Sequence, residues 1–338
     1  MRKLLYALAA GMLLATSWAH AAPELRSDHP ERYTVVKGDT LWDISARFLN
    51  NPWYWPEIWH VNPQVENPHL IYPGDRLALV YIDGKPRVTK VASSDVVKLS
   101  PKVRSEPIET PIPAIPLDAI NGFLSNTRIV DAEELNGAPY ILEGEDGRII
   151  TGAGDKVYAR GEKPADSVGV FRRSREFRDP VTGEFLGLEA RSIGQGEITA
   201  ENGDILTMML KDSNQEVRIG DRLLVGEERR ITTSFVPSPP DSEIEGQMIS
   251  VEGGVTQIGQ FDVVAVNRGE REGLEPGDVL AVLKAGNMVR DPVTGETIEL
   301  PSERSGLMMI FQTYDKMSYG LILQATRPLS VGDKVTNP

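Results

Sequence analysis

The sequence contains no cysteine among its 338 residues and only four histidines. Disulfides, thiolate metal sites and cysteine nucleophiles are therefore all excluded. Attachment of a lipid through an N-terminal cysteine is excluded for the same reason. No histidine follows His69, so the larger part of the chain lacks imidazole as well as thiol groups.

The lack of cysteine, and of histidine after residue 69, excludes several classes of enzyme. Zinc peptidases and amidases with histidine ligands, Cys/His peptidases and cysteine-dependent transpeptidases need those side chains as ligand, base or nucleophile. A lytic glycosidase needs only carboxylates, but it also needs helical lobes or a long cleft, and the sequence predicts neither. Glu303 is the nearest candidate, and a solvated loop explains it. We therefore expect no catalytic activity, no cofactor and no metal site.

Positive charge is also scarce, because 36 Lys and Arg face 49 Asp and Glu and leave a net charge of −13. Such acidity repels phosphate backbones, and no basic patch with interleaved aromatics occurs, so we expect no nucleic-acid partner. The hydrophobic share of 40% and the charged share of 25% are ordinary for globular proteins. The length suggests two or three domains.

Long apolar runs are absent except at the N-terminus. In residues 1–21, two basic residues precede an apolar run from Leu4 to Ala15, and Ala19 and Ala21 place small residues at −3 and −1. This pattern predicts a signal peptide that is cleaved after Ala21. An uncleaved anchor is the alternative, but the run is short for a span of about 20 residues. We expect an exported protein with no later transmembrane segment.

Residues 31–81 have the pattern of a small βααβ unit. The β-rich segment Tyr33–Val36 ends at a turn, Gly38-Asp39, and Thr40 is a good N-cap for a first helix. Pro56 suits the first turn of a second helix, and a Pro-Gly turn precedes a second strand. The apolar face of the first helix consists of Leu41, Ile44 and Phe48.

This stretch resembles a LysM domain. The resemblance rests on the order and spacing of Tyr33-Thr34-Val35, Gly38-Asp39-Thr40-Leu41, Ile44, Asn62-Pro63, Leu70-Ile71-Tyr72-Pro73-Gly74 and Leu77. The family implies that N-acetylglucosamine units of peptidoglycan or chitin lie in a shallow groove between the loop after the first strand and the loop before the second. The peptidoglycan-binding residues that the resemblance implies are Gly38, Asp39, Thr40, Leu41, Pro68, His69, Leu70, Ile71 and Tyr72.

Two questions stay open within this unit. Leu41 and Ile71 suit either the core or contact with a sugar face. The insertion Asn51–Pro56 departs from the shorter common pattern and brings Trp53 and Trp55. Their rings suit stacking on sugars or on a partner protein, and equally the closing of a core too small to fill itself.

Residues 82–116 are rich in proline and predict a semi-rigid linker close to polyproline II. Residues 117–338 have a different sequence pattern, in which short runs of residues with high β-propensity are separated by Gly and Asp. The heptapeptide RDPVTGE occurs at 178–184 and at 290–296, an offset of 112, and Gly220 and Gly332 have the same offset. Each heptapeptide suits a hairpin turn, which we favour over a metal or catalytic role.

When the earlier Gly-Asp pairs at 154 and 277 are also taken as equivalent, the sequence predicts two copies of one β-unit, at about 152–226 and 275–336. The fold class is therefore α+β and multidomain. A small βααβ LysM module is followed by a proline-rich linker and by a mostly-β C-terminal body built from two repeated β-units.

The whole arrangement, including Pro116–Ser125 and Gly154–Arg160, is similar to LysM-containing secretin-associated proteins of type IV pili. The C-terminal part of those proteins resembles the C-terminal domain of a flagellar T-ring protein. The resemblance implies a non-catalytic periplasmic protein that binds peptidoglycan glycan strands and anchors or aligns the outer-membrane secretin. The alternatives are a peptidoglycan-bound scaffold of another envelope machine, such as a flagellar ring or another secretion system, and a cell-wall glycan hydrolase.

Overall fold

The chain divides into two compact units, residues 1–112 and 113–338. The predicted signal peptide, most of the predicted linker, and Pro68, His69 and Leu70 lie outside the described residues. A computed structural model describes residues 23–59, 71–91, 112–116, 120, 123, 127–226, 235–253, 257–286 and 288–338.

The N-terminal unit combines short helices with a three-stranded antiparallel sheet in the order β1-β2-β3. Its elements are β1 (Arg32–Thr34), α1 (Leu41–Phe48), a 3₁₀ turn (Pro52–Tyr54), α2 (Trp55–Ile58), β2 (Arg76–Ile82) and β3 (Lys85–Lys90). The βααβ order agrees with the prediction. Strand β3 lies in the stretch predicted as linker, because Asp83 and Gly84 adopt positive φ values of 50° and 76° and fold the chain back onto β2.

Helix α1 begins where the sequence predicts. The Thr40 hydroxyl accepts a hydrogen bond from the Asp43 N–H at 3.1 Å, and the Asp43 carboxylate accepts one from the Thr40 N–H at 3.3 Å. This reciprocal capping box satisfies donors that the helix end leaves unpaired. The apolar face then enters the core of the unit, which contains Val35, Leu41, Trp42, Ile44, Phe48, Leu49, Trp53, Trp55, Ile58, Trp59, Ile71, Leu77 and Val88.

The first part of the C-terminal unit contains six strands that we call the first ring. They run in the order β10-β7-β5-β12-β8-β9, and β9 also pairs with β10, so each strand has two neighbours. Strand β4 (Thr127–Val130) adds to β9 and is followed by helix α3 (Ala132–Gly137), while β6 (Ile150–Thr151) pairs with β11 (Val217–Arg218). The ring strands are β5 (Tyr140–Gly144), β7 (Lys156–Arg160), β8 (Ser167–Arg178), β9 (Phe185–Asn202), β10 (Ile205–Ser213) and β12 (Arg222–Val225).

The second part is a closed barrel in the order β13-β14-β19-β18-β15-β20. A separate hairpin, β16 (Met288–Arg290) with β17 (Thr297–Glu299), lies between two of its strands along the chain. The barrel strands are β13 (Glu245–Val251), β14 (Val263–Val266), β15 (Val279–Lys284), β18 (Glu303–Thr313), β19 (Ser318–Ala325) and β20 (Lys334–Thr336).

Each of these closed sheets encloses its own apolar core. Alternation with period two produces the core side chains, as along β10, where Leu206, Met208 and Leu210 point inward. The core of the first ring contains Ile141, Val157, Ala159, Val168, Val170, Ile193, Ile198, Leu206, Met208, Leu210, Val217 and Leu223. The core of the barrel contains Ile244, Met248, Val251, Ile258, Val264, Val266, Leu274, Leu280, Val282, Met308, Ile310, Ile322, Leu329 and Val335.

Strand entry depends on one recurring turn. In the turn that ends at Asp155, the carboxylate accepts a hydrogen bond from the Gly152 N–H three residues earlier, at 2.9 Å. The Gly154 N–H and the Asp155 carbonyl then both bond to Leu210 of the neighbouring strand, at 2.8 and 3.0 Å. Gly154 has φ +88°, a region that favours glycine. Within the described ranges the same carboxylate bond closes turns at Asp39, Asp75, Asp155, Asp221, Asp262, Asp278 and Asp333.

The first ring and the barrel contact each other through buried polar groups. The Asp179 carboxylate, 6% exposed, accepts a hydrogen bond from the Asn267 side-chain amide at 2.7 Å. Arg175 of β8 pairs with the fully buried Glu189 at 2.6 Å and also reaches Glu252 of the barrel side at 3.3 Å. These contacts fix the hairpin that connects β8 and β9 against the barrel.

Both heptapeptides form the tight hairpin turns that were predicted. Asp179 and Asp291 each accept bonds from the N–H groups two and three residues later, and Gly183 and Gly295 have φ +73° and +76°. The units predicted at 152–226 and 275–336 do not coincide with the closed sheets. The first ring takes β5 from before residue 152, and the barrel takes β13 and β14 from before residue 275, because these strands pair with partners far along the chain.

We expect that replacing Asp221 by alanine lowers the free energy of unfolding of the C-terminal unit by about 2–3 kcal/mol. Its buried carboxylate accepts from the Arg218 N–H and, in two parallel bonds, from Arg172 at 2.7 and 2.8 Å. Urea unfolding measures this change.

Asp204→Ala is the matched control, because it removes one carboxylate from an exposed ion pair with Arg160. Exposed pairs contribute little, so we expect only a small change. An equal loss in both variants would contradict a special role for the turn at Asp221.

Candidate functional site

Two loops of the N-terminal unit meet at one end of its sheet. Residues 36–40 follow β1, and residues 71–75 precede β2, to which β1 is paired in antiparallel register. Val35 joins the loops: its N–H donates to the Asp75 carbonyl at 2.9 Å, and its carbonyl accepts from the Gly74 N–H at 2.8 Å. Residues 36–40 of the first predicted loop and residues 71–75, which include the described end of the second, therefore lie side by side.

The first loop is closed by Asp39. Its carboxylate accepts hydrogen bonds from the Val36 N–H and from the Tyr33 hydroxyl, both at 2.8 Å. Burial and the bond to Asp39 raise the pKa of Tyr33. Asp39 itself is buried, so its carboxylate positions the loop and is not displayed at the surface.

The second loop repeats this arrangement. The Asp75 carboxylate accepts from the Tyr72 N–H at 3.0 Å, and its other oxygen pairs with the Lys90 ammonium at 2.7 Å. The Lys90 ammonium also lies 5.9 Å from the centre of the Tyr72 ring. Lys90 belongs to β3, so the strand that the sequence had placed in the linker supports this loop. Sequence reasoning missed Asp75 as a positioning residue, although the repeated Gly-Asp pairs at 38–39 and 74–75 are visible in the sequence.

The structure separates the predicted site residues by exposure. Leu41 and Ile71 are buried in the core, which settles the question left open for them, and Thr40 is buried as the helix cap. Gly38 is exposed with φ +98°, and Tyr72 is half-buried. The surface that the described part of both loops offers therefore combines the exposed side chains of Val36 and Lys37 with the backbone at Gly38 and at Tyr72-Pro73-Gly74.

Of the two roles that the sequence left open for Trp53 and Trp55, the structure favours packing in the core over stacking on a sugar or a partner. Their side chains are only 4% and 2% exposed, so neither ring offers a face to a sugar or to a partner. The Asn51–Pro56 insertion folds as a 3₁₀ turn running into α2, and this geometry directs both indoles into the core. A sheet of three short strands needs such bulky rings to fill its interior.

The match to the LysM family model covers residues 33–79. Residues 33–79 form a LysM domain. The chain is also similar to the uncharacterized protein YqbP from Bacillus subtilis (strain 168), with 38% identity over 60 residues, which cover 15% of this chain and 27% of that protein. The chain therefore spans only about a quarter of the length of the relative that it matches.

A LysM domain indicates binding of peptidoglycan or related glycans. The paired loops fit that role, because loops held on a rigid scaffold can present backbone donors and acceptors to acetamido groups. In the described ranges, the His, Asp and Glu side chains nowhere gather in groups of three that could hold a metal ion. The helices of those ranges also fall short of the length and apolar character that a membrane span requires.

We predict that Asp39 acts on glycan binding only through the shape of its loop. Asp39→Ala leaves the Val36 N–H and the Tyr33 hydroxyl without their acceptor, so we expect a loss of about 2 kcal/mol in unfolding free energy and weaker sedimentation with peptidoglycan. Asp39→Asn retains a side-chain oxygen that accepts from Val36, and we expect it to bind nearly as well as the parent.

Urea unfolding and co-sedimentation, measured on the same preparations, separate the two roles. If Asp39→Asn is fully folded and no longer binds, the carboxylate itself contacts the sugar and its assignment as a positioning residue is wrong.

Proposed function

We propose that this protein is a non-catalytic, exported binding protein that holds cell-wall glycan through its LysM domain. The observation that carries the proposal is the junction of the two loops at Val35, within the segment that matches the LysM model. The N-terminal pattern of residues 1–21 supports export to the periplasm, with cleavage after Ala21.

The absence of catalysis is part of the proposal. The chain beyond His69 lacks both histidine and cysteine, so acid–base and nucleophilic chemistry there would depend on carboxylates, lysine, tyrosine or hydroxyl groups. Among the residues that the structure describes, the Glu189 carboxylate is the one most withdrawn from water, and burial raises its pKa. Glu189 belongs to β9 and pairs with Arg175 of β8, so its position suits a structural contact better than a substrate cleft.

For the C-terminal unit, we propose that the first ring and the barrel are copies of one six-stranded sheet. Around the first ring, the strands follow one another as β5-β12-β8-β9-β10-β7, and around the barrel as β13-β20-β15-β18-β19-β14. In both sheets these are the strands that come first, sixth, third, fourth, fifth and second along the chain, so the circular order is the same. The turns agree as well. Asp155 and Asp262 close turns that bond to Leu210 and Ile322, which are 322 − 210 = 112 residues apart.

This alignment corrects the register expected from the sequence. Asp155 corresponds to Asp262, at an offset of 107, and not to Asp278. Asp278 instead corresponds to Asp166, because their carbonyls accept from Ile310 and Ile198, which are again 112 apart. The sequence suggested that Asp155 corresponds to Asp278 because each follows a glycine, Gly154 and Gly277. In the proposed copies, Ala165 stands opposite Gly277 and Phe261 stands opposite Gly154, so neither true counterpart shows the Gly-Asp pair.

We further propose that the C-terminal unit attaches the wall-bound domain to an envelope machine, with the outer-membrane secretin of type IV pili as the first candidate. The support is the resemblance in sequence over most of the chain. A peptidoglycan-bound scaffold of a flagellar ring or of another secretion system is the alternative. Co-purification from cross-linked envelopes separates them, because only the first predicts that secretin is recovered.

The division of labour between the units is tested by co-sedimentation with insoluble peptidoglycan. We expect residues 22–116 to sediment and residues 118–338 to remain in solution, because the paired loops belong to the first fragment alone. The N-terminal fragment extends to residue 116 because the Ile112 N–H donates to the Ile71 carbonyl at 2.8 Å.

Circular dichroism of each fragment controls for folding, and insoluble cellulose controls for unspecific sedimentation. Sedimentation of residues 118–338 alone would contradict the proposal. Release of soluble glycan from peptidoglycan by the intact chain would show instead that the protein is a hydrolase.

A further inference from the structure

The two identical heptapeptides fold alike. In both, the glycine N–H donates to the carbonyl of the aspartate at 2.9 Å, and the aspartate N–H donates to the carbonyl of the final glutamate, at 2.9 Å in the first copy and 2.8 Å in the second. Because the two turns share their sequence and these hydrogen bonds, they can present the same groups to a neighbouring surface. They differ in the residues that each turn contacts.

The first turn, residues 178–184, is docked on the end of the barrel. Glu184 receives two hydrogen bonds from Arg271, at 2.7 and 2.9 Å, and lies 3.3 Å from the Lys316 ammonium. These cations lower the pKa of Glu184 to about 2. Asp179 is buried against Asn267, as described above. The cleft where this turn meets the barrel measures about 550 Å³ and is lined in part by Gly246, Val335 and Thr336.

The second turn, residues 290–296, contacts nothing comparable. Val293 at its tip is 91% exposed, and within the described ranges no cation pairs with Asp291 or Glu296. Its hairpin also displays apolar side chains on both strands. The exposed apolar residues are Met288, Val289, Val293, Ile298 and Leu300. An apolar patch of this kind on a soluble protein usually marks an interaction site.

The first ring has a cleft at the position that corresponds to the docking cleft of the barrel. It measures about 460 Å³. Leu223 and Leu224 line it, and they correspond at the offset of 112 to Val335 and Thr336. Pro139 also lines it, and it corresponds at the offset of 107 to Gly246. Lys163, paired with the exposed Asp166 at the cleft's rim, offers a cation there. The remaining lining is mixed: Gly137, Ala138, Pro164 and Val225 are apolar, and Arg128, Glu134 and Glu162 are charged.

We propose that the hairpin 288–300 of one copy of this chain docks into the first-ring cleft of a second copy, as the turn 178–184 docks on the barrel within one copy. The occupant is a second copy because this chain itself carries the matching cleft, and because the apolar part of its lining, which includes Pro164, Leu223 and Val225, suits the apolar hairpin. The inference rests on the proposed duplication and is independent of glycan binding. A contact between two different surfaces is heterologous, so it extends head to tail into a ring or a filament.

Sedimentation velocity of the chain from Ala22 onward tests this over a range of concentrations. We expect the parent to form species larger than a monomer as concentration rises. Val293→Glu blocks the hairpin and Val225→Glu blocks the cleft, and we expect each variant alone to remain monomeric. An equimolar mixture of the two retains one working pair of surfaces, so it should form a dimer and nothing larger.

Val181→Glu is the matched control, because it makes the same substitution in the identical heptapeptide at a position that is 78% exposed; it should assemble like the parent. Lys163→Glu provides a second cleft variant on a half-buried side chain. A parent that stays monomeric at all concentrations overturns the proposal. So does assembly of Val225→Glu and Lys163→Glu at the level of the parent, because the hairpin would then meet a different surface.

Discussion

The carboxylate-closed turn is the interaction on which both units depend. An aspartate accepts the N–H three residues before it. In every such turn except the one at Asp39, the N–H of the residue before the aspartate and the aspartate carbonyl together hold one residue of the neighbouring strand. In these six turns that residue is apolar and buried, as with Val35, Ile141 and Met248. The turn therefore sets the register between two strands and directs a side chain into the core in one step. In the LysM domain the same device places the two candidate binding loops side by side.

Local chemistry made part of this structure predictable from sequence. Thr40 followed by an apolar face predicted where the first helix begins, and Asp-Pro-Val-Thr-Gly predicted a hairpin turn, because these features depend on neighbours in sequence. Features that depend on distant pairing were missed. Strand β3 was assigned to the linker, and β5, β13 and β14 fell outside the predicted units, since their pairing partners are set by the closed sheets.

The candidate site shows the same limit. Aromatic rings serve equally in a core or in a sugar site, so composition could not show which role Trp53 and Trp55 have. The short 3₁₀ turn places both rings in the core. Phe261 has φ +70° where the other six carboxylate-closed turns carry glycine, and no pattern in the sequence marks that exception. A bulky residue at positive φ is strained. The surrounding strands therefore hold this turn in place against the backbone preference of phenylalanine.

In the function proposed here, two loops of a LysM domain bind the glycan, and the C-terminal unit contacts protein only. Hydrogen–deuterium exchange of the intact chain, followed by mass spectrometry with and without a soluble N-acetylglucosamine oligomer, tests this most directly. The account predicts slower exchange in peptides that contain residues 36–41 and 71–76, and unchanged exchange throughout residues 127–338. Protection confined to the C-terminal unit, or no protection in the two loops at saturating oligomer, would contradict it.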